Sequence, residues 1–227
     1  MEWQHLLSAM AIVENTKSFL NALPPSVSLV LATKGRTAAE INEAIGAGAT
    51  IIGENYVQEA KRKAPFIRGK AELHLIGHLQ KNKVRRALKV FDMVQTVDSL
   101  ELAQEISRHA EKPYPILIQV NVGGERQKHG CTPDETAGLV GKISALPNIR
   151  VRGLMAMAPH FDDPEGTRPY FTEMNRLFEG IKAKGLPNVS MDILSLGMSD
   201  DYKIAVEEGS TMVRLGSAIF GSRHPRQ

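Results

Sequence analysis

Ser28-Leu29-Val30-Leu31-Ala32-Thr33-Lys34 is an apolar run that ends on a lysine. As a strand, its period-two alternation places Val30, Ala32 and Lys34 on one face and Leu29, Leu31 and Thr33 on the other. Lys34 then shares its face with small apolar residues. An ammonium there is poorly solvated, which favours the neutral amine, a nucleophile able to form a Schiff base. From these seven residues alone the plainer alternative weighs more: a lysine in water just past a strand end. The flanking sequence has to shift that weight.

Outward from this stretch, strand-like and helix-like segments alternate. Upstream, Trp3, Leu6, Leu7, Met10 and Val13 recur at helical spacing, and Pro24-Pro25 ends that helix. Downstream, Thr37 caps a helix with Glu40 three residues on, and Gly46 and Gly48 stop it. Further strands are expected at 50–53, 73–77, 93–97, 115–121, 149–155, 192–196 and 211–216. Between them, helices are expected at about 56–64, 80–90, 99–110, 133–145, 169–184 and 200–208. Ile116-Leu117-Ile118 reads as fully buried, and Pro133 suits a first helical turn. Only a short tail is expected after the eighth strand. Eight strands alternating with helices imply parallel pairing through βαβ units. The expected fold is α/β: a single (β/α)8 TIM barrel over residues 1–227 with an extra N-terminal helix. A doubly wound open sheet is the competitor, but no Gly-x-Gly-x-x-Gly turn follows the first strand.

Composition narrows the function. The 227 residues carry 28 basic and 25 acidic side chains, a net charge of only +3, and 5% aromatics. That is neither a nucleic-acid footprint nor a base-stacking surface. The runs Lys61-Arg62-Lys63 and Arg85-Arg86 read as solvated helix ends. The one cysteine, Cys131, excludes an intrachain disulfide and a cysteine-based zinc site, and fits a reducing compartment. The N-terminus lacks a secretory pattern and no apolar run approaches the span of a bilayer. A cytoplasmic protein without membrane or nucleic-acid partners is expected.

In such a barrel, function sits at the C-terminal ends of the strands. Those ends carry Lys34, Asn55, His78, Asp98, Asn121, Ser199 and Ser217. On the last strand, Val213 and Leu215 face the helices, so Met212 and Arg214 point into the barrel. A buried guanidinium costs several kcal/mol unless it meets a carboxylate or a ligand. The loops after strands seven and eight, Gly197-Met198-Ser199-Asp200 and Gly216-Ser217-Ala218, combine glycine and hydroxyl at a helix start, a phosphate-cup pattern. Lysine, arginine and phosphate cup together describe pyridoxal 5′-phosphate, joined covalently through Lys34. Arg214 would face the pyridine nitrogen, and because arginine does not give up its proton the ring remains a weak electron sink.

Several motifs carry a family resemblance. They include Gly53-Glu54-Asn55-Tyr56-Val57-Gln58-Glu59 and His74-Leu75-Ile76-Gly77-His78-Leu79-Gln80. Others are Gln119-Val120-Asn121, Gly153-Leu154-Met155, Leu194-Ser195-Leu196-Gly197-Met198-Ser199-Asp200-Asp201-Tyr202 and Val213-Arg214-Leu215-Gly216-Ser217-Ala218. From about residue 29 to 221 the chain resembles the pyridoxal phosphate homeostasis protein family, the YggS/PROSC-like proteins. The resemblance implies an alanine-racemase-like barrel of the fold-type III class. It implies Lys34 as cofactor lysine, Arg214 facing the pyridine nitrogen, Ser199, Gly216 and Ser217 at the phosphate cup, and Asn55 near the ring. Thr33 and Ser217 depart slightly, standing where serine and threonine are usual. The implied role is holding and buffering the cofactor without established turnover, as a monomer, with PLP-dependent apoenzymes as candidate recipients. A racemase-like enzyme and a Schiff-base aldolase are the alternatives.

The remaining polar residues carry no firm role. His78 is either near the cofactor or a helix-capping residue, and His129 either near it or at the surface. Cys131 reads as a bystander. Asp200-Asp201 suits a helix N-terminus, Asp162, Asp163 and Glu165 a solvated loop. No metal-ligand set is expected.

Overall fold

The structure is a computed structural model that describes residues 2–221, with side chains from residue 9 onward. Eight parallel strands close into a barrel in sequence order. They are β1 (Ser28–Ala32), β2 (Ile51–Glu54), β3 (Glu72–Leu75), β4 (Met93–Val97), β5 (Tyr114–Val120), β6 (Ile149–Ala156), β7 (Val189–Ser195) and β8 (Met212–Leu215). Closure runs through β1 and β8, with Leu29 opposite Val213 and Val30 opposite Arg214. Around it lie α1 (Glu2–Ala22), α2 (Ala38–Gly46), α3 (Val57–Lys63), α4 (Val84–Ala87), α5 (Leu100–His109), α6 (Pro133–Ile143), α7 (Arg168–Lys182), α8 (Tyr202–Glu207) and α9 (Ser217–Phe220). The closed barrel displaces the open-sheet alternative.

Alternation decides what faces inward. Leu29, Leu31, Val213 and Leu215 pack outward with Ile12, Ile41 and Ile52, under α1 and α2. Val30, Ile51 and Met212 pack together inside the barrel, and Met93, Leu117 and Met155 form a second interior group. Ile116, Leu117 and Ile118 are all fully buried, as that run demands. Local chemistry sets helix starts. Thr37 with Glu40, and Thr132 with Glu135, form complete capping boxes.

Four details differ from expectation. The buried face of α1 is carried by Ile12 and Thr16, while Met10 is 53% exposed; Trp3, Leu6 and Leu7 lie outside the described side chains. The helix expected over 80–90 is a 3-10 turn, Lys81–Lys83, leading into the short α4. Val84 and Ala87 are the buried residues of α4, and Leu88 and Val90 pack against the same core. The expected tail instead begins with α9, whose Ile219 and Phe220 bury against α1 and α2. Lys63 is not a solvated helix end: it pairs with Glu54 at 2.8 Å and Glu59 at 2.7 Å.

Candidate functional site

Lys34 sits just past β1, in the loop that leads to α2. The residues on both sides of it are clamped. Thr33 donates its hydroxyl to Glu54 Oε1 at 2.7 Å, and the Gly35 N–H donates to Glu59 Oε1 at 2.6 Å. Lys63 ties these two carboxylates together and donates to the Thr33 carbonyl at 2.8 Å. Burial pushes the Glu54 carboxyl up, while the bonds from Lys63 and Thr33 pull it down. The loop is therefore fixed from the outer side of the barrel, where Thr33 and Glu54 point. Lys34 is left on the mouth side.

One recess at that mouth is lined by Ala32, Lys34, Arg36, Gly216, Ser217 and Gly221. Arg36, which the sequence reading missed, donates to the Gly221 carbonyl, pairs with Glu40 and stacks over Phe220 at 5.4 Å. It pins α9 to the Lys34 loop. Its position two residues beyond the strand-end lysine was the available signal.

The loops after β7 and β8 meet beside this recess. Ser217 donates to Ser199 Oγ at 3.1 Å, and the Ala218 N–H points at the same oxygen at 3.4 Å. Gly197 makes the approach possible. Its φ is +87°, and a Cβ there would lie 2.6 Å from Ala205 Cβ and 2.9 Å from Tyr202 Cα. Gly216 and Ser217 thus share the recess with Lys34, and Ser199 adjoins it through Ser217. Asn55 lies one strand further round, just past β2. Gly77, after β3, packs against it so closely that a Cβ would fall 2.2 Å from the Asn55 carbonyl oxygen.

Arg214 lies below this mouth, 5% exposed and pointing inward. Nη1 donates to the Ser195 carbonyl at 2.8 Å and hydroxyl at 2.7 Å, and Nη2 to the Ala156 carbonyl at 2.9 Å. No carboxylate is within ion-pair distance among the described residues, so the guanidinium is held by neutral oxygens. Burial pushes its pKa down to about 10, with Asp201 opposing the shift, so it stays charged at neutral pH.

Behind Arg214 runs a chain of buried polar groups absent from the sequence reading. Ser195 donates to Gln95 Oε1 at 2.9 Å. Gln95 Nε2 lies 2.9 Å from His74 Nδ1, and His74 Nε2 lies 3.1 Å from Glu72 Oε2. An amide nitrogen only donates, so Nδ1 accepts and Nε2 carries the proton towards Glu72. Every bond then has one sense, from the Arg214 cation inside the barrel to the Glu72 carboxylate at the start of β3. The hydrogen bond from His74 holds the Glu72 carboxyl below its ordinary range, against partial burial.

On the far side of the mouth, the rings of His78 and His129 stack at 3.7 Å and 9°. His78 Nδ1 lies 3.9 Å from Asp98. Burial and the neighbouring His129 lower the His78 pKa, with Asp98 opposing. Neither imidazole caps a helix. Asp201 accepts from the Met198 N–H at 2.6 Å, and Glu165 pairs with Arg168 at 2.8 Å.

A closed parallel barrel with a strand-end lysine and a serine-lined cup defines a class: the alanine racemase N-terminal domain, whose family model matches residues 7–224. Within that class the chain belongs to the pyridoxal phosphate homeostasis protein family. It is 41% identical over 204 residues to the pyridoxal phosphate homeostasis protein of Pasteurella multocida, covering 87% of each chain. It is 40% identical to that of Escherichia coli, covering 88% of this chain and 87% of the relative. PipY of Synechococcus elongatus, solved with PLP bound, superposes with a TM-score of 0.84 at 33% identity, over 92% of this chain and all of PipY. The alanine racemase of Corynebacterium glutamicum, 18% identical, shares the fold with a TM-score of 0.79 over 94% of this chain and 62% of its own.

Proposed function

We propose that this chain binds pyridoxal 5′-phosphate through Lys34 and serves intracellular homeostasis of that cofactor, holding it without catalytic turnover. One observation carries the reading: the recess that joins Lys34 at the end of β1 to Gly216 and Ser217 after β8. Its chemistry suits the group. A lysine on a loop clamped at Thr33 and Gly35 offers an amine to an aldehyde, and the Ser199 and Ser217 hydroxyls with the Ala218 N–H offer donors to an anionic phosphate. The Arg36 guanidinium lines the same recess. When bound, the cofactor supplies an aldehyde for a lysine amine and an electron-withdrawing pyridine ring.

The chain's own residues set the rest. Arg214 presents only N–H donors, and its cation disfavours a proton on any ring nitrogen facing it. That keeps the ring a weak sink and favours retention over carbanion chemistry. Asn55, fixed by Gly77, supplies an amide beside the ring. A racemase would also need acid–base groups on both faces of its substrate. The family name and the Arg214 environment favour a carrier or regulator instead, in the cytoplasm, with PLP-dependent apoenzymes as recipients.

Borohydride reduction of protein loaded with pyridoxal 5′-phosphate, followed by peptide mapping, tests the assignment. A phosphopyridoxyl group on Lys34 is expected. The same label on another lysine, with Lys34 unmodified, sinks it. Sustained, Lys34-dependent racemisation of any amino acid would overturn the carrier reading.

A further inference from the structure

Three loops place His78, Asp98 and His129 together at the mouth of the barrel, after β3, β4 and β5. One ligand atom from each lies within 4.8 Å of the other two. In the barrel order β4 and β5 stand opposite β8 and β1, and none of the three residues lines the Lys34 recess. The two imidazoles face solvent, and neither has a hydrogen bond to any described residue. Their one ionic partner is Asp98, at 3.9 Å from His78. Among the described residues, the two imidazoles cap no helix and bridge no strands.

We propose that His78, Asp98 and His129 form a binding site for a divalent transition-metal ion of the zinc class. Two nitrogen ligands and one carboxylate suit Zn2+, Co2+ or Ni2+, whereas Mg2+ and Ca2+ require oxygen-rich sets. Three protein ligands leave a coordination position open to water or to a small molecule entering the mouth. The parallel stack has to open for both nitrogens to aim at one ion. That movement is a rotation of two solvent-facing rings, with no buried group to displace. Separate loops from three adjacent strands bring the ligands together, so the barrel itself fixes their spacing. The Lys34 site contributes no ligand, and the two readings stand independently.

The test is calorimetric titration of Zn2+ into chelator-treated full-length protein, with Co2+ absorption as a second readout. One equivalent of Zn2+ is expected to bind. His78→Ala and His129→Ala are each expected to weaken it by about tenfold or more. The double variant should lose the site, and His109→Ala, on the outer helix α5, should bind as wild type. Of the imidazole proton resonances that Zn2+ shifts in wild type, each single variant should lack its own and keep the other's, now less shifted at the same Zn2+, while the His109 resonances stay as in wild type, which separates ligation from a general effect on folding. Failure of the wild type to bind a stoichiometric ion, or binding undiminished in the double variant, overturns the proposal.

Discussion

Replacing Gln95 with leucine cuts the polar chain inside the barrel at its centre. Gln95 is fully buried, and its two amide atoms serve different partners. Oε1 accepts from Ser195, and Nε2 donates to His74 and contacts Met212 Sδ at 3.3 Å. Leucine satisfies none of them. His74 Nδ1 is left buried without a donor, and the Ser195 hydroxyl loses its acceptor. Each buried polar group stranded in this way costs roughly 1–3 kcal/mol. Serine can turn to another oxygen, which offsets part of its share, so a loss of about 2–4 kcal/mol is expected. Urea unfolding followed by circular dichroism measures it, with an unchanged slope expected because the exposed surface is similar. The double variant His74→Leu/Gln95→Leu separates this account from simple loss of packing. Removing both partners of the His74–Gln95 bond leaves neither stranded, so the double change should cost less than the sum of the single ones by about 1 kcal/mol or more. Additive costs, or a Gln95→Leu penalty within about 0.5 kcal/mol of zero, would refute the reasoning.

Other consequences are simpler to check. Arg214→Met removes a buried charge without a paired carboxylate, so stability should stay within about 2 kcal/mol of wild type while retention of pyridoxal 5′-phosphate on dialysis falls; unchanged retention would remove Arg214 from the site. Burial leaves the folded Glu54 carboxyl titrating above its ordinary 4.5, so the folded state binds that proton more tightly than the unfolded one. Stability is therefore lost relative to Glu54→Gln as pH rises from 4.5 through the folded value, and parallel stability–pH curves for the two proteins would contradict this. Burial raises the Cys131 thiol pKa, so a thiol reagent at neutral pH should label the native protein slowly and the urea-unfolded chain fast; equal rates would exclude a buried thiol. Thr132→Ala deletes the α6 capping box and should cost about 1 kcal/mol by the same unfolding assay; no loss would mean that the cap is redundant.

The barrel was legible because each strand declares itself locally. Leu29 and Leu31 alternate with Val30 and Ala32, and the capping boxes of α2 and α6 need only four consecutive residues each. Inward placement of Arg214 followed from the same period of two. Its partners did not, because Ser195 and Ala156 belong to other strands and their side of the barrel is set by closure. Gln95 lies two residues beyond the inward Met93, a polar residue on a buried face, and that was a usable signal. Its bond to Ser195 spans a hundred positions in sequence, which no local pattern encodes. Lys63 was misread because a basic helix end is ordinarily solvated, and only the fold brings Glu54 beneath it. The stack of His78 on His129 likewise depends on where the loop after β5 closes.

The burial of Arg214 is itself an argument about the site. A guanidinium inside a barrel costs several kcal/mol, and a carboxylate would be the cheapest remedy. This chain supplies carbonyls, a hydroxyl and a polarised run of dipoles that reaches a carboxylate only at Glu72, at the opposite end of β3. The arrangement keeps the cation in place with no carboxylate bonded to it, and Asp201 acts on it only from beyond ion-pair distance. An adjacent carboxylate would cancel the field at the mouth. Neutral oxygens hold the group rigidly and leave its charge to act on whatever lies above it. A fold selected for stability alone has no use for that choice. For the cofactor site proposed above, both features would serve one end: positive charge held towards a ring acceptor, with no proton donor acidic enough to protonate it.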